Sequence, residues 1–186
     1  FNIQSKKLIE GKMNKEAISV VKSDGSNEPL DITKIQKMTQ QACEDLSGVS
    51  SSQVEMNTGI QFFDGINTKD IQKILVKSAS DLISLENPNY EYVAARLLLY
   101  GLRKQVFGRF EYPRLKDLVK ENIERGVYNK ELISSYDDAE WNKLEKFIDH
   151  DRDYLFTYAG LQQVVDKYLI QDRSSGEIYE TPQFMY

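Results

Sequence analysis

Between Asn87-Pro88 and Arg109, the segment YVAARLLLYGLRKQVFG carries apolar side chains around almost its whole helical circumference. A helix of that kind is stable only when neighbours cover it on several sides, so the rest of the chain must supply a surrounding layer. The residues before it have that character. Asp31 or Thr33 is placed to cap a helix on which Ile35, Met38, Ala42 and Leu46 recur at helical spacing. The run SSSQVEMNTGIQFFDG reads as a second helix, capped by Ser50, Ser51 or Ser52 and ended by Gly65. Thr68 is the expected cap of a third, with Ile71, Ile74, Leu75, Leu82 and Ile83 along one face. Ahead of these, AISVVK is short and β-branched, Asp24-Gly25-Ser26 has turn chemistry, and EPLDI follows. That spacing predicts a small hairpin, with Pro29 on an edge strand because proline cannot donate to a ladder.

Gly108 to Pro113 reads as a boundary, a short aromatic and charged connection bracketed by two helix breakers. Beyond it, Leu115, Leu118, Val119 and Ile123 mark one helix, Trp141, Leu144 and Ile148 another, and Leu161, Val164, Val165, Tyr168 and Leu169 a third. YLIQDRSSGEIYE then reads as two strands about a Ser-Ser-Gly turn. The expected class is α+β, mostly helical. Its parts are a flexible leader over 1–13, a hairpin-capped four-helix domain over 14–108, and a helical segment with a short hairpin over 109–186.

The single cysteine, Cys43, excludes an internal disulfide, a cysteine zinc site and dithiol chemistry, and fits a reducing, cytoplasmic setting. No apolar run approaches the roughly 18 residues of a membrane helix, and FNIQSKKLIEGK has no secretory-type apolar core. With 29 acidic against 24 basic residues, the net charge of −5 disfavours a nucleic-acid partner. Any anion site must therefore be local. Lys22, Lys34 and Lys104 are candidates to converge with Thr68, since the hairpin must cover one end of the helical core. Lysines supply point charges there and the start of the Thr68 helix supplies amide donors, a combination that suits a triphosphate. The opposing reading is solvated lysines and a plain cap.

Catalytic readings are thinner. His150 lies among acids in FIDHDRD, but one-residue offsets do not share a helix face, so capping and ion pairing are expected of Asp149, His150, Asp151, Arg152 and Asp153. No metal site is expected. No Gly-rich phosphate loop of Walker type occurs.

VVKSDGSNEPLDITKI resembles the opening of an ATP-cone, and IQFFDGINTKDIQKILVKSASDLIS with NPNYEYVAARLLLYGLRKQVFG resembles its remaining helices. KFIDHDRDYLFTYAGLQQVVDKYLIQDRSSGEIYETPQF is similar to the segment that follows the cone in the large subunit of class Ia ribonucleotide reductases. The resemblance runs from Ala17 to Tyr186. It implies an allosteric regulatory region of an oxidoreductase that makes deoxyribonucleotides for DNA replication, with ATP or dATP as effector, together with Mg2+. It implies two protein partners, the remainder of the large subunit and the radical-bearing small subunit. The catalytic thiols would lie in a barrel after Tyr186, so this chain alone is expected to be inactive.

Carried over by position, the resemblance places Val20, Lys22, Glu28, Asp31, Lys34, Ile35, Thr68, Ile71, Gln72 and Lys104 at the effector site. Lys22, Thr68 and Lys104 would meet phosphates, while Glu28 and Asp31 would meet the adenine side. Asp31 replaces an asparagine, keeping an acceptor and losing a donor. Gln72 and Gly101 stand where the family has two histidines near the sugar and phosphates. Gln36, Ser52 and Glu55 would occupy the surface that touches the small subunit. Two other readings compete. A nucleotide-sensing repressor would need a zinc ribbon with four cysteines, which one cysteine cannot build. A degenerate cone would serve only as a structural subunit-interaction module.

Overall fold

The structure, a computed structural model, describes residues 18–22, 25–59 and 61–186. The leader expected over 1–13 and Asp24 of the expected turn lie outside the described residues. The chain divides into two compact units, Phe1–Leu98 and Leu99–Tyr186.

In the first unit, β1 (Ser19–Val21) pairs antiparallel with β2 (Asn27–Pro29), Val20 opposite Glu28. Between them Gly25 adopts φ +82°, a left-handed conformation that costs glycine little, and its N–H donates to Lys22 O. A third strand, β3 (Ile66–Asn67), lies parallel to β1 on its other side, giving the order β2-β1-β3. Pro29 is thus on an edge strand, where its missing N–H disrupts no ladder.

Among the described residues, four helices accompany this sheet: α1 (Ile32–Cys43), α2 (Ser51–Gly59), α3 (Thr68–Ser80) and α4 (Tyr90–Phe107). Asp31 caps α1, its Oδ1 accepting from the N–H groups of Thr33 and Lys34. The second helix is shorter than expected, ending at Gly59 rather than Gly65. Asp64 explains the difference, for its carboxylate accepts from both the N–H and the hydroxyl of Ser19, and Gly65 at φ +79° donates to Ser19 O. These bonds turn the chain out of the helix and lay Ile66 beside Val20. The cap of α3 is also one residue earlier than expected, at Asn67, whose side chain makes no capping hydrogen bond.

Ala42, Val54, Ile66, Leu75, Ala79, Val93, Ala94 and Leu97 are at most 1% exposed and form the core of this unit. Truncating Leu75 to alanine would cost roughly 2–5 kcal/mol through lost transfer energy and a residual cavity. The expected burial of α4 holds over most of its length, with Tyr90, Val93, Ala94, Ala95, Leu97, Leu99 and Leu102 buried, while Lys104 and Gln105 near its end are exposed. It ends where Gly108 takes φ +68° and donates to Lys104 O. The division between units falls inside α4, ahead of the Gly108 to Pro113 connection read from the sequence.

The second unit holds α5 (Leu115–Glu124), α6 (Glu131–Ser134), α7 (Asp138–Glu145), a 3-10 turn (His150–Leu155), α8 (Tyr158–Lys167), a hairpin of β4 (Gln171–Asp172) and β5 (Glu177–Ile178), and α9 (Pro182–Met185). Asp137 and Glu140 form a reciprocal capping box at α7. Asp149 caps the 3-10 turn and pairs with Arg152 at 3.5 Å, the role expected of those two residues, whereas Asp153 is buried and His150 stacks on Tyr112. Glu180 is buried, accepting from Tyr128 Oη at 2.6 Å and from the Ile170 N–H at 2.9 Å. No helix among the described residues is long and apolar enough to cross a membrane.

Candidate functional site

The β1–β3 register does most to assemble the candidate anion site. Val21 lies opposite Asn67, so the strand that delivers Lys22 ends beside the start of α3, where Thr68 is the first helical residue. With no side-chain cap at Asn67, the opening amides of a 13-residue helix are available as donors. Asp70 in that first turn is paired with Lys73 at 3.3 Å. Lys22 itself pairs with Glu28 at 2.6 Å across the hairpin. Lys34, on the first turn of α1, lies 3.7 Å from Asp31 Oδ2.

Val20, Ile35 and Ile71 are buried, so they contribute apolar packing rather than polar contacts. Asp31 is engaged twice, by the opening amides of α1 and by Lys34. Its role as cap needs only an acceptor, which both aspartate and asparagine have. Gln72 is turned to α4: its Nε2 donates to Leu97 O at 2.5 Å. Lys104 is an exposed residue of α4, and Gly101 a half-buried one three residues before it.

The three residues expected on a subunit-contact surface differ among themselves. Ser52 is exposed and Gln36 half-buried. Glu55 is drawn inward, its Oε1 accepting from Thr39 Oγ1 at 2.7 Å, and its carboxyl lies above the usual range because burial disfavours the charge. The same Thr39 hydroxyl lies within hydrogen-bond distance of the Ile35 and Gln36 carbonyls. Nearby, burial pushes the Cys43 thiol up to about 11, opposed by Arg96. The Arg96 guanidinium closes the end of α1 by donating to Ala42 O and Glu44 O.

Sequence reading missed the Asp64–Ser19 bonds, the Gln72–Leu97 bond and the inward turn of Glu55. The first had a signal, since Asp64-Gly65 is a turn dipeptide that argues against a continuing helix. The others depend on which residues face each other across the core. Among the described residues, no group of three or more His, Cys, Asp or Glu side chains could hold a metal ion.

Comparison with known proteins bears on this geometry. Residues 18–105 match the ATP cone domain. Over 167 residues, or 90% of its length, the chain is 47% identical to ribonucleoside-diphosphate reductase 1 subunit alpha of Escherichia coli (strain K12), covering 22% of that protein. It is 45% identical over 174 residues to the corresponding subunit alpha of Haemophilus influenzae, covering 94% of this chain and 23% of the other. The subunit alpha of Enterobacteria phage T4 is 42% identical over 173 residues, with 92% and 22% covered. The chain thus spans about a fifth of the length of the curated relatives it matches.

Proposed function

We propose that residues 18–105, which match the ATP cone domain, form the adenine-nucleotide regulatory site of a ribonucleoside-diphosphate reductase large subunit. The observation that carries this reading is the β1–β3 register, which sets Lys22 beside the uncapped start of α3. Anions are favoured there by the helix amides, and the Lys22 ammonium, which pairs with Glu28 of β2 on the other side of β1, joins them when a phosphate draws it away. ATP or dATP is the proposed effector, with Mg2+ held by the nucleotide's own phosphates. Lys22 and the Thr68 end of α3 serve the phosphates, Lys34 adds positive charge, Asp31 faces the base, and Glu28, which pairs with Lys22 in this structure, turns to the base once a phosphate displaces it. The proposed domain extends over 14–108, and the proposed partners are the rest of the large subunit and the radical-bearing small subunit. Reduction of ribonucleotides is assigned to that complete assembly, with no catalytic residue in this chain.

A second reading has one specific support. Gln72 spends its amide on Leu97 O, so the residue standing where the family has a histidine is committed to helix packing. A cone that has lost effector recognition and only holds subunits together would look the same at this position. Titration of the 186-residue chain with ATP separates the two. Saturable binding weakened by Lys22→Ala supports the regulatory site; no binding leaves the structural module.

A further inference from the structure

Both candidate phosphate lysines of the first unit already face carboxylates. Lys22 Nζ is 2.6 Å from Glu28 Oε2, and Lys34 Nζ is 3.7 Å from Asp31 Oδ2. The two pairs differ in kind. Lys34 is the more exposed lysine, its side chain 74% accessible, and Asp31 is held by the opening amides of α1 whatever Lys34 does. The Lys22–Glu28 pair is shorter and less exposed, at 43% and 35%, and Glu28 is held in the ladder directly opposite Val20. Its backbone cannot move away without breaking the hairpin.

We infer that Glu28 is an internal competitor for the anion that Lys22 takes, so that the hairpin ion pair sets a threshold for phosphate binding. This rests on the reading of Lys22 as a phosphate residue. A phosphate approaching Lys22 must either displace the Glu28 carboxylate or accept its repulsion, and in both cases the favourable Coulomb energy is offset. The same carboxylate gives selectivity, because a ligand of higher charge density displaces it more readily than one of lower charge. The cone would then respond to triphosphates in preference to monophosphates with no added recognition element.

The size of the effect follows from exposure. Partly exposed ion pairs contribute little, so removing the competitor is expected to change affinity by about twofold to fivefold rather than by orders of magnitude. Salt would compress the difference further by screening.

The test uses inorganic tripolyphosphate and ATP as probes, titrated calorimetrically into the 186-residue chain at low ionic strength. Glu28→Gln is expected to bind tripolyphosphate about twofold to fivefold more tightly than the parent chain. In a Lys22→Ala background the same substitution should give a smaller gain, because only the general effect of deleting a negative charge remains there and the difference between the two backgrounds isolates the pair. Equal or weaker tripolyphosphate binding by Glu28→Gln, or a gain undiminished without Lys22, would overturn the inference while leaving the nucleotide site standing. Absence of binding of both probes to parent and variant overturns the site itself and the inference with it. Circular dichroism of each variant checks that the fold survives.

Discussion

The side-chain amide of Gln72 donates to the main-chain carbonyl oxygen of Leu97 at 2.5 Å, tying α3 to α4 through a partly buried bond. Leu97 is fully buried, so water does not readily replace the lost donor when Gln72 is truncated. Gln72→Ala is expected to cost about 0.5–1.5 kcal/mol of stability, the net value of one such bond. Urea denaturation followed by far-ultraviolet circular dichroism measures it. An unchanged midpoint would mean that the amide has no structural role.

Asp31 offers a way to separate capping from ligand recognition. Asp31→Ala removes the acceptor for the Thr33 and Lys34 amides and should cost about 0.5–2 kcal/mol. Asp31→Asn keeps an acceptor oxygen and should lose much less, since both residues are good caps. Equal losses in the two variants would show that the charge, and not the cap, carries the stability.

In the second unit, His150 stacks on the Tyr112 ring with centroids 3.5 Å apart, and Arg103 lies over the Tyr100, Tyr112 and Tyr154 rings. Asp153 is 1% exposed, with neither carboxylate oxygen in a hydrogen bond of good geometry. Burial pushes its carboxyl up to about 6, against the lowering influence of Gln183, Arg103 and Tyr112. Burial and Arg103 push His150 down to about 4, opposed by Asp149 and Asp151. The two shifts act on stability in opposite senses. Asp153 binds its proton more tightly when folded, so it loses stability as pH rises from about 4 to about 6. His150 binds its proton less tightly when folded, so it loses stability as pH falls from 6.5 to about 4. In the parent chain they largely offset. Asp153→Asn is expected to expose a fall in stability on acidification through this window, and His150→Phe a rise, each with a slope of at most about 1.4 kcal/mol per pH unit. Trp141, the chain's one tryptophan and a buried residue of this unit, reports the unfolding by fluorescence. Slopes identical to the parent in both variants would contradict the account.

Cys43 gives a chemical check on the packing of the first unit. With the thiol pushed up to about 11 from 9.0, chiefly by burial, its thiolate population at neutral pH falls about a hundredfold. Alkylation by iodoacetamide should be slower than in the urea-unfolded chain by a similar factor. Equal rates would place Cys43 in solvent.

How much of this was legible beforehand follows from the range of each interaction. The Asp31 cap, the edge position of Pro29 and the burial of α4 are encoded by neighbours in sequence, through capping chemistry, a missing donor and helical periodicity. The hairpin strands β1 and β2 were legible for the same reason. β3 was not, because two residues carry no period and its pairing with β1 is set by Asp64 reaching Ser19 across 45 positions. Lys22 and Thr68 were singled out by residue type, but their adjacency depends on that unread strand. Helices α5, α7 and α8 of the second unit emerged from their apolar spacing, whereas α6, the 3-10 turn and α9 were not read, and the Tyr112–His150 stack joins residues 38 apart with no pattern between them.

The most direct test is calorimetric titration of the 186-residue chain with ATP and with dATP, alongside Lys22→Ala. The account predicts one saturable site for both nucleotides, with modest affinity because Gln72 is spent on Leu97. Lys22→Ala should weaken it about tenfold, the expected loss of one charge-assisted phosphate contact. No saturable heat with either nucleotide, or an affinity untouched by Lys22→Ala, would contradict the claim that the start of α3 and Lys22 form a nucleotide site.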